Sequence, residues 1–256
     1  MTVEVSGQGQ GVEALEKAWK KFLVESPADA QVKVEVDPSR QPAARHVLLP
    51  ELRAGEGGAL LVSSPSFQAE IDAERKSACV RGAGDRFGVE STLKALLAAR
   101  LAAKGGMLIH GVALARDGVA ALFTGASGAG KSTLGRLGEK AGFTLLADEL
   151  VAVWAEGQAY RAAGTPWNAG SPEEAALRGV GTLARAEEDE APHLTRQPPS
   201  DVLRTLISNV LLPEPSADGR QALFQAEARM LSVVKTWTLW FGKESDVADV
   251  LKWALQ

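Results

Sequence analysis

The 256-residue chain has one cysteine, Cys79. A single thiol makes no intrachain disulfide and no cysteine-rich zinc site, and it fits a reducing cytoplasm, the expected compartment. A basic excess is missing too: 28 Lys and Arg stand against 32 Asp and Glu, a formal charge of −4. Dedicated nucleic-acid binders carry a clustered basic surface, so no nucleic-acid partner is expected. Long apolar runs are absent. Met1 to Gly11 is polar and lacks the apolar core of a secretory signal. Leu93 to Ala103, the most apolar helical stretch, is short and interrupted by Lys94 and Arg100. Nothing of that length spans a bilayer, and no membrane partner is expected. There is no internal repeat, no H-E-x-x-H and no G-x-S-x-G. Apolar residues at 45% and charged residues at 23% exclude a disordered or fibrous chain. The length suits one large domain, or a main domain with a small companion.

Periodicity predicts a helix over Val12–Val24, with Leu15, Trp19, Phe22 and Leu23 on one side. Strands are predicted over Val32–Val36, Ala59–Ser63, Phe67–Ile71 and Ser77–Arg81. Asp37 to Gly58 reads as loop or irregular edge. Ser91 is a cap candidate for a helix through about Lys104, stopped by Gly105 and Gly106. Met107–Ala115 and Val119–Thr124 read as strands about an Asp117-Gly118 hairpin signal. A helix from Lys131 to near Gly142 follows, then strands over Phe143–Ala147 and Val151–Trp154. Pro166 to Pro172 is turn-rich, and the acidic run Glu187 to Glu190 reads as solvated surface. Ser200 and Asp201 are cap candidates for a helix to about Leu212. A longer helix over Gly219–Lys235, a strand over Trp237–Phe241 and a last helix capped by Ser245 complete the reading. Trp19, Trp237, Trp240 and Trp253 fall on element faces as packing residues. The expected organisation is an N-terminal α/β part over 1–90 and a nucleotide domain over 91–256 with a helical C-terminal section.

The segment Gly125-Ala-Ser-Gly-Ala-Gly-Lys-Ser132 matches G-x-x-x-x-G-K-[ST] between a predicted strand and a predicted helix. Gly125, Gly128 and Gly130 allow backbone angles closed to residues with a Cβ. The N–H groups of Ala126, Ser127, Ala129 and the following helix start, through Thr133, can then converge on phosphate. Lys131 supplies a compact cation for the β- and γ-phosphates. The Ser132 hydroxyl is a hard oxygen ligand suited to Mg²⁺. ATP and Mg²⁺ are the expected ligands.

Asp148 follows the predicted strand Phe143–Ala147, as a magnesium-site carboxylate at a strand end does. It is suited to holding the metal through water or to taking a proton from an attacking hydroxyl. Glu149 beside it, a further metal candidate, points to the opposite side of an extended segment. His110 lies in the strand beside the one feeding the loop, where a core role and a catalytic role are both open. His46 and His193 lack metal-ligand spacing and read as surface residues.

A guanine-reading N-K-x-D and an L-S-G-G-Q-type signature are both absent, which disfavours a GTPase and an ABC ATPase. An antiparallel hairpin feeding the loop also differs from common P-loop NTPases. His110-Gly-Val-Ala-Leu, the hairpin, the loop, and Gly142-Phe-Thr-Leu-Leu-Ala-Asp-Glu-Leu-Val resemble the catalytic core of HPr kinase/phosphorylase and its relatives. The close match covers about Leu108 to Val153, with weaker likeness at Gly164-Thr-Pro-Trp and Leu203 to Pro213. The resemblance implies an α/β fold of the phosphoenolpyruvate-carboxykinase type, with a mixed sheet and a hairpin leading into the P-loop. It implies an ATP-dependent serine kinase acting on a peptide or small protein and assembling as a homo-oligomer. It makes Asp148 the base for the acceptor hydroxyl and sets His110 near the reacting phosphate. Two positions depart from the family's pattern. It has two aspartates where this chain has Asp148-Glu149. It also has a glutamate before an R-G-x-G segment, where Ala176 precedes Arg178-Gly-Val-Gly181. These departures motivate an alternative reading, a nucleotide-binding regulatory or scaffold protein with little phosphotransfer.

Overall fold

The computed structural model describes residues 2–7, 9–42, 50–187 and 190–256. His46 and the middle of the acidic run, Glu188 and Asp189, lie outside the described residues. The chain forms two compact units, Met1–Arg100 with Leu212–Gln221, and Leu101–Leu211 with Ala222–Gln256.

The first unit contains β1 (Val3–Gly7), α1 (Gln10–Ala18), β2 (Ala30–Val36), β3 (Glu51–Ala54), β4 (Leu60–Ser64), β5 (Phe67–Ile71), β6 (Ser77–Gly82) and most of α2 (Arg86–Ala102). Its sheet runs β1-β2-β6-β5-β4-β3, parallel from β1 to β6 and antiparallel beyond. Alternation sets the buried face: Val32 and Val34 on β2, Phe67 and Ile71 on β5, Ala78 and Val80 on β6. Two expectations are corrected. Helix α1 stops at Ala18, Lys20–Phe22 tightens into a 3-10 turn, and Leu23 is 56% exposed. Helix α2 starts five residues before Ser91, because the Asp85 carboxylate accepts the Gly88 N–H at 3.2 Å and caps it there. Strand β3 lies within the stretch read as loop or irregular edge and is an edge strand, paired with β4 alone among the described residues.

The second unit contains β7 (Met107–Arg116), β8 (Val119–Thr124), α3 (Lys131–Lys140), β9 (Thr144–Ala147), β10 (Leu150–Glu156), β11 (Ala159–Ala163), β12 (Glu174–Arg185), β13 (His193–Arg196), α4 (Pro199–Ile207), β14 (Lys235–Phe241) and α6 (Ala248–Leu255). Helix α5 (Ala217–Val233) belongs to it from Ala222 on. Among the described residues the mixed sheet has eight strands in the order β11-β10-β7-β8-β12-β14-β13, with β9 on β7 in line with β10. Strand β11 also pairs β12, so β10, β7, β8, β12 and β11 form a closed circuit. The β8–β12 and β12–β14 pairs are parallel. β7 and β8 are antiparallel and joined by Asp117 and Gly118, whose φ values of 53° and 76° suit a two-residue turn.

Both faces of this sheet are covered. Leu134 and Leu137 of α3 and Leu251 and Ala254 of α6 pack on one side. Val202 and Leu206 of α4 and Met230 and Leu231 of α5 pack on the other. Strand β7 alternates between them, sending Val112 and Leu114 to the α3 side and Ile109, Ala113 and Ala115 to the opposite side.

Strands β11, β12 and β13 have no counterpart in the sequence reading. In β12 the reason is Gly179 and Gly181, which look like turn residues. A Cβ at Gly179 would lie 2.2 Å from Trp237 Cη2, and one at Gly181 would lie 2.6 Å from Trp237 Cδ1. The two glycines are the slot for an indole that is 1% exposed. Trp253, read as a packing residue on a helix face, meets Trp237 edge-on and is 46% exposed. Helix α4 opens on Pro199, where a missing N–H costs nothing. It ends at Ile207 rather than Leu212. Ser245 does not cap α6: its hydroxyl accepts the Gly242 N–H, while Asp246 accepts that of Ala248. Among the described residues no helix is long and apolar enough to cross a membrane.

Candidate functional site

Strand β8 ends at buried Thr124, and α3 begins seven residues later, at Lys131. Gly128 and Gly130 take φ of +81° and +102°. A Cβ on Gly130 would come 3.0 Å from Phe241 Cζ, so close approach and dihedral both call for glycine there. No side chain caps α3, which leaves the N–H groups of its first turn directed into the loop. Lys131 is 8% exposed, and its ammonium donates to the carbonyls of Gly125 (2.7 Å) and Ala126 (3.0 Å). Burial pushes that ammonium below its ordinary pKa. Ala126, Ser127, Gly128 and Ser132 are exposed, and Ala129 and Thr133 half-buried. The loop is thus a rim of backbone donors around a sheltered cation, a geometry that can hold an anion.

The second component is a break in a strand. Strands β9 and β10 run successively along one edge of β7, Ala147 opposite Ala113 and Leu150 opposite His110. Asp148 and Glu149 form the break. The Asp148 N–H donates to Ala169 O, and Glu149 O accepts the Gly111 N–H, both at 3.1 Å. Gly111 itself pairs with Thr124. The acids and the loop start are therefore separated by one strand, about 10 Å. The Asp148 side chain lies toward α3, since a Cβ on Gly135 would approach Asp148 Cβ to 3.6 Å. Gly135 follows Ser132 by one helical turn, so it shares that residue's face of the helix.

His110 is level with Gly125, one residue beyond the Gly111–Thr124 pair. Alternation with Val112 sets its side chain on the α3 side. It is half-buried; its N–H donates to Asn209 O at 2.6 Å, and its carbonyl accepts the Thr124 hydroxyl at 2.8 Å. Residues Gly125 to Thr133, His110, Asp148 and Glu149 thus gather at one end of one sheet. His193 stands apart on edge strand β13, stacked on Trp240 with ring centroids 6.0 Å apart.

Ala176 lies at the opposite end. It pairs with Val119 and donates its N–H to Gly118 O at 2.9 Å, about 20 Å along β8 from the loop. An acid at that position would point to the hairpin turn rather than to Gly125. A depression of about 360 Å³ lined by Arg116, Val119 and Lys252 sits at that turn end as well. Its cations are already paired, Arg116 with Asp117 and Lys252 with Asp249.

Sequence reasoning missed Asn168. Its side-chain amide donates to Asp148 Oδ1 from twenty residues away in sequence, and no local pattern announces such a contact. Among the described residues no three His, Cys, Asp or Glu side chains gather into a metal cage. Mg²⁺ held with a nucleotide takes one or two protein oxygens and completes its shell from phosphates and water. Ser132, Asp148 and Glu149 are the oxygens on offer.

No family profile matches the chain, and no curated protein matches it in sequence. The structure is similar to that of the Hpr(Ser) kinase/phosphatase from Coxiella burnetii over 52% of this chain and 84% of that one. The two are 13% identical with a TM-score of 0.30, a distant likeness that fixes neither family nor activity.

Proposed function

We propose that this protein is a cytoplasmic kinase that binds Mg·ATP at the Gly125–Thr133 segment and transfers the γ-phosphate to a hydroxyl. The acceptor implied by the resemblance to the HPr kinases is a serine of a peptide or small protein. The observation that carries the reading is the meeting of a glycine loop, a sheltered lysine and an acid-bearing strand break at one sheet end. The loop N–H groups and the start of α3 bind the phosphate oxygens. Lys131 exchanges its two carbonyl partners for the β- and γ-phosphates, where its charge stabilises the transition state. Asp148 accepts the proton of the acceptor hydroxyl as that oxygen bonds to the γ-phosphorus and the bond to the β-phosphate bridge breaks. ADP leaves. His110, level with Gly125, stands near the reacting phosphate. Ser132, Glu149 and Asp148 are the residues to hold Mg²⁺, which neutralises charge on the phosphate oxygens when bound.

Incubation with γ-labelled ATP and serine-bearing peptides or small proteins tests the reading, alongside calorimetry with Mg·ATP. Label on an acceptor hydroxyl supports transfer. Tight nucleotide binding without transfer to any acceptor favours the regulatory alternative, which rests on Glu149 in place of an aspartate. Absence of nucleotide binding removes both.

A further inference from the structure

The turn-rich segment after β11 is built onto the acid-bearing break. Ser171 N–H donates to Leu146 O at 3.0 Å, Asp148 N–H donates to Ala169 O at 3.1 Å, and Ala147 bridges Gly170. The buried Thr165 hydroxyl donates to Leu150 O, just past Glu149. Trp167 is 3% exposed and anchors the segment from within. Gly164 and Gly170 permit the approach: a Cβ on either would meet Leu146 O at 2.4 Å. In this clamped segment Asn168 alone has positive φ without being glycine, at 61°. The left-handed region costs an L-residue roughly 1–2 kcal/mol, least for Asn and Asp. Its side chain is exposed, so burial does not explain it. What the conformation achieves is the contact with Asp148 Oδ1. A carboxylate only accepts, so the amide NH₂ must face it.

We propose that Asn168 is the positioning residue for Asp148. Its amide occupies Oδ1 and fixes the carboxylate plane, leaving Oδ2 to take the acceptor proton. The role rests on the reading of Asp148 in the proposed kinase.

The test compares the full chain with Asn168→Gly, Asn168→Asp, Asp148→Asn and Asp148→Ala. Glycine keeps the left-handed backbone and loses only the amide, so a purely conformational role predicts parental behaviour from it. With Mg·ATP and water as acceptor, Asn168→Gly is expected to lose about tenfold to a hundredfold in kcat with KM for Mg·ATP unchanged. Asn168→Asp, which tolerates the backbone but presents a like charge, should not restore the rate. Parental kcat in Asn168→Gly, with Asp148→Asn impaired, overturns the positioning role and leaves Asp148 as the base. Parental kcat in Asp148→Asn overturns the underlying reading and the positioning role together. One readout needs no turnover: the Asn168 side-chain NH₂ resonances should shift in Asp148→Ala, and unmoved resonances overturn the contact itself.

Discussion

The Lys131 ammonium donates to the carbonyl of Gly125 at 2.7 Å, tying the first residue of α3 to the first residue of its own loop. The cation is thus stored inside the loop that would receive phosphate. Lys131→Ala removes the charged donor, and such a bond is worth roughly 1.5–3 kcal/mol. Mg·ATP affinity measured by calorimetry should fall about tenfold to a hundredfold or more. Equal affinity in mutant and parent would count against a nucleotide site.

Asp148→Asn keeps size and polarity and loses charge and basicity. Transfer should fall by at least about 10²-fold, the lower range for a general base. Lys131 and the loop amides remain, so affinity for ATP should change far less. If Asp148 is chiefly a magnesium ligand, affinity with Mg²⁺ drops alongside rate while affinity without Mg²⁺ holds. Near-parental transfer removes both roles and passes attention to Glu149.

The Gly181 slot makes a prediction about stability alone. A Cβ there meets Trp237 at 2.6 Å and Phe123 Cδ1 at 2.9 Å. Gly181→Ala should cost about 1–3 kcal/mol by overpacking. Placing it on a Trp237→Leu background should cost less than the sum of the two changes, because both act on one volume. Denaturant titration of the four proteins reads the coupling; strict additivity would show that the glycine serves some other purpose.

Glu227 on α5 is 2% exposed, and burial raises its pKa from 4.5 to about 7. The folded state therefore holds a proton that the unfolded chain releases between pH 4.5 and 7. The carboxyl carries no charge penalty below pH 4.5. The penalty grows as pH rises through that window and reaches about 3 kcal/mol above it. Glu227→Gln should raise the melting temperature clearly at pH 8 and little at pH 4.5. An equal gain at both values would mean that the carboxylate is already solvated in the fold.

Features written in adjacent residues were readable from the sequence. Phe67–Ile71 and Ser77–Arg81 alternate apolar and polar residues, and β5 and β6 run there. Asp117 and Gly118 both tolerate the left-handed region, and the β7–β8 turn needs two such residues. Features that depend on distant partners were not readable. Gly179 and Gly181 signal a turn until Trp237 is set against them. Ser91 looks like a cap until Asp85 is seen doing that work. Asn168 is one polar residue in a turn-rich stretch, and its meaning comes from a strand break twenty residues earlier. Likewise, the offset of Ala176 from the loop is a matter of strand register, which spacing along the chain does not encode.

The parallel placement of β12 bears on how the chain comes to be assembled. β8 carries the loop yet gains its second neighbour only when residues 176–182 arrive, and β12 waits in turn for residues 235–241. A nascent chain emerging from the ribosome would present the β7–β8 pair with an open row of N–H and C=O groups until residues 176–182 are made. Such late, long-range pairing slows folding. The Gly130–Phe241 contact then arrives with the last strand, so the loop takes its final shape as the sheet is finished, and an unfinished chain carries the glycine motif without its geometry.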